Sequence, residues 1–331
     1  MLLSKLTAEK KIPIYAFFEL TRNCNLSCIH CYAAKERRKE LSTQEIKEVI
    51  GQLKKENSLI LNFSGGEAFV REDFFRILWY AKKSNFAIKI FSNGTLIGQK
   101  EANELAKIKP LRIEITIFST HPEIHDCITG VNGSLGKSLR ALKLLKDKNI
   151  PLRIKCPLLK SNASGYADII GLAKSLEAKY QFDPKIIPKI NGEKSPLQFQ
   201  AGRKALFQIL NDPKILENEE AVSGHITCSA GYNTCAISAY GDVFPCIILP
   251  IKLGNLKENK FYDIWHNSVR LKQLRSVKPQ DLAKCHKCRI LSFCNRCPGS
   301  VYLEKGNLLG YSKSACVLAK AKAESKYHLY S

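Results

Sequence analysis

Three cysteines in the segment Thr21-Arg22-Asn23-Cys24-Asn25-Leu26-Ser27-Cys28-Ile29-His30-Cys31-Tyr32, spaced C-x3-C-x2-C, constrain this chain more than any other feature. Three thiolates can hold a [4Fe-4S] cubane by three of its irons and leave the fourth iron for another molecule. Zinc sites prefer four closed ligands, and the one local fourth candidate, His30, is squeezed directly against Cys31. A disulfide framework is also disfavoured, because the opening Met1-Leu2-Leu3-Ser4-Lys5 begins no apolar signal segment. The 13 cysteines therefore read as reduced, cytoplasmic and metal-binding.

A second motif follows. Leu59-Ile60-Leu61-Asn62-Phe63-Ser64 is a short apolar run suited to a buried strand, and it ends in Gly65-Gly66-Glu67. The cysteine triad after a first strand, with Gly-Gly-Glu after a second, resembles the radical SAM superfamily. In that family the free iron is chelated by the amino and carboxylate groups of S-adenosylmethionine, whose reductive cleavage gives a 5′-deoxyadenosyl radical. The cofactor carries the chemistry and the protein orients it.

The resemblance implies a task for each matching residue. Gly65 and Gly66 would let the backbone approach the methionine end, and Glu67 would accept from the ammonium. His30 and Tyr32 would lie beside the adenine. Ser92 and Asn93, in the strand end Phe91-Ser92-Asn93-Gly94, would supply polar groups, with Thr116 on a fourth strand near the cofactor carboxylate. Taken alone, Asn93-Gly94 reads equally well as a simple turn.

Strand-like runs near 14–20, 59–64, 87–92, 112–118, 152–159 and 184–190 alternate with helix-like runs near 42–56, 71–84, 98–108, 135–148, 164–178 and 199–211. Ser42-Thr43-Gln44-Glu45 reads as a capping box. Six β/α units imply an α/β fold with a parallel sheet and a site at the carboxyl ends of its strands. The family's partial (β/α)6 barrel is the expected form.

A second cysteine group begins after about residue 224. Cys228, Cys235 and Cys246 surround Tyr240-Gly241-Asp242-Val243-Phe244-Pro245, which reads as a hairpin. Cys285, Cys288, Cys294, Cys297 and Cys316 complete a set of eight. The spacing Cys228-x12-Gly241-x4-Cys246, followed by C-x2-C-x5-C-x2-C and the distant Cys316, resembles the SPASM extension of radical SAM peptide- and protein-modifying enzymes. The x2 between Cys294 and Cys297 departs from the commoner x3. By resemblance, Cys228, Cys235, Cys246 and Cys297 would hold one auxiliary [4Fe-4S] cluster, and Cys285, Cys288, Cys294 and Cys316 a second, making three clusters with the first. Four-cysteine sites would pass electrons and hold a small domain together rather than bind substrate. Two zinc knuckles are the competing reading of the paired cysteines. The expected division is a radical SAM core over 1–222 and a SPASM domain over 223–331.

The remaining cysteines, Cys127 and Cys156, read first as small hydrophobes. The sharper reading is that one of them gives a hydrogen atom to a substrate radical, as in radical SAM peptide epimerases. His125-Asp126 could form an acid/base pair, but a helix cap by Asp126 is the simpler role. Anaerobic sulfatase maturases carry an aspartate directly after an auxiliary cysteine; Ile247 follows Cys246 here, which disfavours sulfatase maturation.

At 331 residues the chain can bury a full core, and no apolar stretch approaches the roughly 18 residues that a membrane helix needs. The net charge of +22 is spread over nearly every helix and comes with no RNA-binding signature. Solvated faces account for most of it, and an acidic peptide would benefit from the rest. The first strand starts near residue 14, which leaves no room for a leader-binding domain ahead of it and points to a separate small leader-binding protein or none. The expected function is hydrogen-atom abstraction from a ribosomally made peptide, giving a crosslink, an oxidised side chain or an inverted centre, with ferredoxin or flavodoxin as electron donor. The alternatives are tetrapyrrole side-chain decarboxylation in alternative haem or haem d1 synthesis, whose enzymes share this layout, and a zinc-stabilised nucleic-acid binder.

Overall fold

The computed structural model describes residues 2–34, 36–216 and 228–328. Six runs rich in β-branched and aromatic residues form β1 (Tyr15–Glu19), β2 (Ile60–Ser64), β3 (Ala87–Ser92), β4 (Arg112–Thr116), β5 (Leu152–Pro157) and β6 (Lys179–Asp183). Each pairs in parallel with the next. Parallel neighbours cannot be joined by tight turns, so helices carry the crossovers. These are α2 (Thr43–Lys55), α3 (Phe74–Lys83), α4 (Gln99–Ile108), the pair α5 (Pro122–Thr129) and α6 (Ser134–Asp147), and α7 (Tyr166–Ser175), with α1 (Leu2–Glu9) before β1 and α8 (Arg203–Leu210) after β6. The result is the partial (β/α)6 barrel.

The strands have two unlike faces. Ala16, Phe18, Leu61, Phe63, Ile90, Ile113, Ile115 and Ile154 are fully buried together with Ile46, Ile50, Leu53, Ile77, Leu105 and Leu142 of the helices. Burying each such side chain contributes roughly 1.5–3 kcal/mol, which holds the helical layer on the sheet. In β5 the buried residues Leu152, Ile154 and Cys156 alternate with the partly exposed Arg153 and Lys155, so charged side chains line the other, concave face.

Local signals set several boundaries. The Ser42 hydroxyl accepts from the Glu45 backbone N–H at 3.3 Å and the Glu45 carboxylate accepts from the Ser42 N–H at 2.7 Å, which is the expected capping box at the start of α2. Asp126 also caps: its carboxylate accepts from the N–H groups of Gly133 (2.6 Å) and Leu135 (2.9 Å) at the start of α6. The sixth strand forms at Lys179–Asp183 rather than at 184–190. Pro184 and Pro188 lack the N–H groups a ladder needs, and the 184–190 segment instead runs back over the site, where Ile190 donates to the Tyr32 carbonyl at 3.0 Å.

The expected domain boundary at 222/223 lies outside the described residues. Beyond it the same sheet continues: β7 (Thr234–Ile237) pairs in parallel with β1, and β8 (Asp242–Phe244) and β9 (Gly254–Asn255) follow antiparallel. The order across the sheet is β6-β5-β4-β3-β2-β1-β7-β8-β9. The β7–β8 hairpin turns at Gly241, whose φ of 85° suits a residue without Cβ. Trp265, fully buried, ties the later helices to the barrel by donating to the Lys11 carbonyl at 2.6 Å. Among the described residues no helix is long and apolar enough to cross a membrane.

Candidate active site at the carboxyl ends of the strands

The loop carrying Cys24, Cys28 and Cys31 leaves the carboxyl end of β1 and is held from three sides. From β2, the Gly66 N–H donates to the Thr21 carbonyl and the Glu67 N–H to the Asn23 carbonyl, both at 2.8 Å. From β3, the Asn93 amide donates to the Asn25 side chain at 3.0 Å, and Asn25 in turn donates to the Thr95 hydroxyl at 2.7 Å. From α5, after β4, the Thr129 and Ile128 carbonyls accept from Ser27 (2.9 Å) and Ile29 (3.1 Å).

Gly65 and Gly66 are required by this docking. A Cβ on Gly65 would lie 2.4 Å from the Thr21 oxygen, and one on Gly66 would lie 2.2 Å from the Asn23 oxygen. The pair clears room for the backbone that leads into the cysteine loop, a tighter reason than the cofactor approach expected from the motif.

Glu67 is 1 % exposed. Its carboxylate accepts from the Phe69 N–H (3.2 Å), the Ser92 hydroxyl (2.9 Å) and the Asn93 N–H (2.7 Å). It therefore straps the ends of β2 and β3 together and fixes Ser92 and Asn93. Burial pushes its pKa up to about 6 against the pull of those donors.

The three thiols are near neighbours. Burial pushes Cys28 up to about 12, and the other two cysteines add to the rise. Cys24 is raised by burial, with Glu67 and Cys31 contributing, while the Leu26 N–H, 3.4 Å from its sulfur, opposes. Among the described residues, no three His, Cys, Asp or Glu side chains close on one point as ligands of a single metal ion would.

His30 packs edge-on against Phe118 with ring centroids 5.0 Å apart, and its Nδ1 is buried without a partner. Burial lowers its pKa to about 4, so the imidazole is neutral near pH 7 and can give or take one hydrogen bond. Tyr32 donates to Glu19 at 3.2 Å, and Glu19 is paired with Arg22 at 2.8 Å. An orphaned polar atom beside three clustered thiols fits a cluster with an attached ligand bearing polar groups. Thr116 ends β4 at the same edge of the sheet.

The two remaining cysteines stay outside this group. Cys156 is 1 % exposed, faces the helices with Ile154, and lies 3.6 Å from the Phe118 carbonyl. Cys127 is exposed on α5. His125 is buried with its Nδ1 accepting from the Phe118 N–H at 3.2 Å, so it does not work with Asp126, whose carboxylate caps α6.

The auxiliary cysteines fall into two groups. Cys228, Cys246 and Cys297 act on one another: burial raises Cys246 to about 12, with Cys228 and Cys297 adding to it. Cys294 is raised by burial and by Cys316, Cys285 and Cys288, and Cys316 by burial and by Cys285 and Cys288. Cys235 lies apart, fully buried in β7.

Residues 18–162 match the radical SAM superfamily, and residues 228–289 match an iron-sulfur cluster-binding domain, SPASM. The chain thus carries a radical SAM domain followed by an iron-sulfur cluster-binding SPASM domain. It is an enzyme whose cofactors are S-adenosylmethionine and [4Fe-4S] clusters, which sets aside the reading as a zinc-stabilised nucleic-acid binder. It is similar to an AdoMet-dependent heme synthase of Methanosarcina barkeri, 27 % identical over 91 % of this chain and 96 % of the relative. A similar likeness, 27 % over 94 % of this chain and 72 % of the relative, links it to the antilisterial bacteriocin subtilosin biosynthesis protein AlbA of Bacillus subtilis. Among solved structures, SuiB of Streptococcus suis bound to its precursor peptide SuiA superposes with a TM-score of 0.69 at 17 % identity, covering 95 % of this chain and 79 % of SuiB.

The concave face of this radical SAM barrel holds charges that the motifs do not reveal. Arg112 pairs with Glu114 at 2.7 Å, Arg153 lies 3.8 Å from the same carboxylate, and Lys155 pairs with Asp183 at 3.2 Å. Lys89 stands beside Arg112 in register, its pKa lowered by burial and then by Arg112. The alternation Arg112-x-Glu114-x-Thr116 and Arg153-x-Lys155 on strands of a parallel sheet is the signal that would have found them.

Proposed function

We propose that this enzyme modifies a ribosomally made peptide by hydrogen-atom abstraction, with Cys24, Cys28 and Cys31 as ligands of the cluster that receives S-adenosylmethionine. The observation that carries the reading is the convergence of the cysteine loop, the Gly65-Gly66-Glu67 turn and Ser92-Asn93 on one edge of the barrel. When bound there, the cofactor supplies a 5′-deoxyadenosyl radical for the abstraction. The chain's part is to fix the thiols, present neutral His30 and the Tyr32 backbone segment to the nucleoside, and offer Asn93 and Thr116 as polar contacts. Glu67 acts by holding Asn93 through Oε2, which among the described residues accepts that one N–H and so keeps acceptor capacity for the ammonium.

Peptide modification is supported by the likeness to AlbA, named for bacteriocin biosynthesis, and to SuiB, solved with a precursor peptide. A leader-binding protein and a ferredoxin or flavodoxin are the partners such a reaction calls for. The radical SAM core would end, and the auxiliary domain begin, near residue 222. Anaerobic turnover with the peptide encoded beside the gene, in deuterated water, tests the reading by mass. Loss of two hydrogens marks crosslinking or oxidation and gain of deuterium marks epimerisation, whereas an unaltered peptide contradicts it.

A second reading has its own observation. Around the Glu114 and Asp183 carboxylates on the barrel face converge the cations Lys89, Arg112, Arg153 and Lys155. A surplus of positive charge in a half-buried space suits a substrate bearing carboxylates, such as the propionates of a tetrapyrrole, in keeping with the heme-synthase relative. Release of carbon dioxide from an iron porphyrin in the same assay supports it; porphyrin returned intact excludes it.

A further inference from the structure

We propose that the surface over Cys285, Cys288, Cys294 and Cys316 is the docking site of a small acidic one-electron carrier protein, with Lys284, Lys287, Arg289, Lys305 and Lys320 as its contact charges. This rests on the reading of the chain as a cluster-bearing enzyme served by such a carrier, and adds where the carrier binds.

Positive charge is concentrated here and unpaired. Residues 281–320 carry seven Lys and Arg side chains against two carboxylates, Asp281 and Glu304. Both carboxylates are engaged locally. Asp281 accepts the Lys278 N–H at 2.8 Å, and Glu304 accepts the Lys313 N–H at 2.8 Å together with the Ser312 and Ser314 hydroxyls at 2.6 and 2.7 Å. Lys284, Lys287, Arg289, Lys305 and Lys320 are exposed, and none of them is ion-paired among the described residues.

Contacts draw these cations about the four thiols. Lys284 and Lys305 both stand over the Tyr311 ring, 5.2 and 5.4 Å from its centroid, which brings the turn carrying Cys285 beside the end of the helix Pro298–Lys305. Lys287 and Arg289 flank Cys288, the exposed member of the group. Lys320 is close enough to Cys316, and Lys185 to Cys294, to oppose the rise that burial gives those thiols. Val317, next to Cys316, adds an exposed apolar side chain.

The other cysteine groups offer no such surface. Cys24 is acted on by Glu67 and Cys31, and Cys28 by its fellow thiols, with no cation among them. The 184–190 segment also runs over that site, through Ile190 and the Tyr32 carbonyl. In the first auxiliary group burial dominates, raising Cys246 to about 12. Electron transfer between proteins falls steeply with distance, so a carrier must sit over the centre it serves. Acidic carriers are steered by opposite charge into brief encounters of limited area. One electron leaves the carrier and enters this chain, with no bond made or broken.

The test uses the full chain after anaerobic reconstitution, with an acidic flavodoxin as the probe. Lys284→Glu with Lys287→Glu should weaken flavodoxin binding at least about tenfold at low salt. Lys305→Glu with Lys320→Glu should do the same, and reads the same surface from outside the Cys285–Cys288 turn should the first pair lose iron. Lys54→Glu with Lys55→Glu, exposed on α2, is the control and should stay within about twofold. The difference should vanish at about 0.5 M salt, where screening acts within a few ångströms. Release of 5′-deoxyadenosine driven by dithionite should be alike in all, whereas release driven by flavodoxin should fall in the two patch variants. Unchanged flavodoxin affinity in both patch pairs would overturn the proposal. So would a single-stranded RNA that binds the wild type more tightly than flavodoxin and is lost in the same variants. A wild-type chain that takes up no iron would defeat the cluster reading beneath the proposal, and the proposal with it.

Discussion

The Glu67 carboxylate accepts the backbone N–H of Asn93 at 2.7 Å, and Asn93 in turn reaches the cysteine loop through Asn25. One buried side chain thus transmits the position of β2 to β3 and on to the thiols. Glu67→Ala would strand the Asn93 and Phe69 N–H groups and the Ser92 hydroxyl. At about 1–3 kcal/mol for each buried group left unsatisfied, the variant should melt several degrees lower. It should also bind S-adenosylmethionine at least tenfold more weakly by equilibrium dialysis, whereas unaltered binding would mean that Asn93 is held by other means.

Gly66→Ala is expected to damage the first cluster before it damages the fold. The new Cβ would fall 2.2 Å from the Asn23 oxygen, a backbone atom that can retreat only by shifting the segment leading to Cys24. Iron counted after reconstitution should drop by up to about 4 per chain, with the far-ultraviolet circular dichroism retained. Gly136→Ala, where no atom lies within 4 Å of the new Cβ, is the control and should keep its iron.

His125 makes the metal-free protein acid-sensitive. Burial lowers its pKa from 6.5 to about 4, so the unfolded chain binds the proton first as pH falls. The stability from its neutral form is complete above about pH 6.5 and is lost as pH drops toward 4, by at most about 3 kcal/mol. Glu67, raised from 4.5 to about 6, acts in the opposite sense over that narrower range. His125→Asn keeps an acceptor for the Phe118 N–H and should flatten the fall in melting temperature between pH 6.5 and 4; an unchanged slope would assign the effect elsewhere.

Removing the barrel cations should weaken substrate binding rather than radical formation. Lys155→Met leaves Asp183 without its 3.2 Å partner and reduces the positive surplus. A carboxylate-bearing substrate should show KM raised roughly 10- to 100-fold, the cost of one charge-assisted contact. Substrate-independent 5′-deoxyadenosine release should stay within about twofold, and an unchanged KM would place the substrate away from this face.

Much of this was legible in the chain because local chemistry wrote it there. The strand and helix alternation, the Ser42–Glu45 box, the Asp126 cap and the Gly241 hairpin all follow from residue spacing and recur in the structure. The sixth strand was misplaced because Ile186-Ile187 looks like a strand core, while its flanking prolines forbid the ladder. Which face Cys235 takes was hidden for a deeper reason, since it depends on a ladder with β1, more than two hundred residues away in the chain. The charged barrel face was hidden for a related reason, since it forms only when β3 to β6 are laid side by side.

The most direct test of the account is anaerobic 5′-deoxyadenosine release from S-adenosylmethionine with dithionite, comparing the wild-type chain with Cys24→Ala, Cys28→Ala and Cys31→Ala. Each substitution should abolish release, and the wild type should yield 5′-deoxyadenosine and methionine in equal amounts. Undiminished release from any of the three variants would contradict the assignment of these thiols to the cofactor-binding cluster.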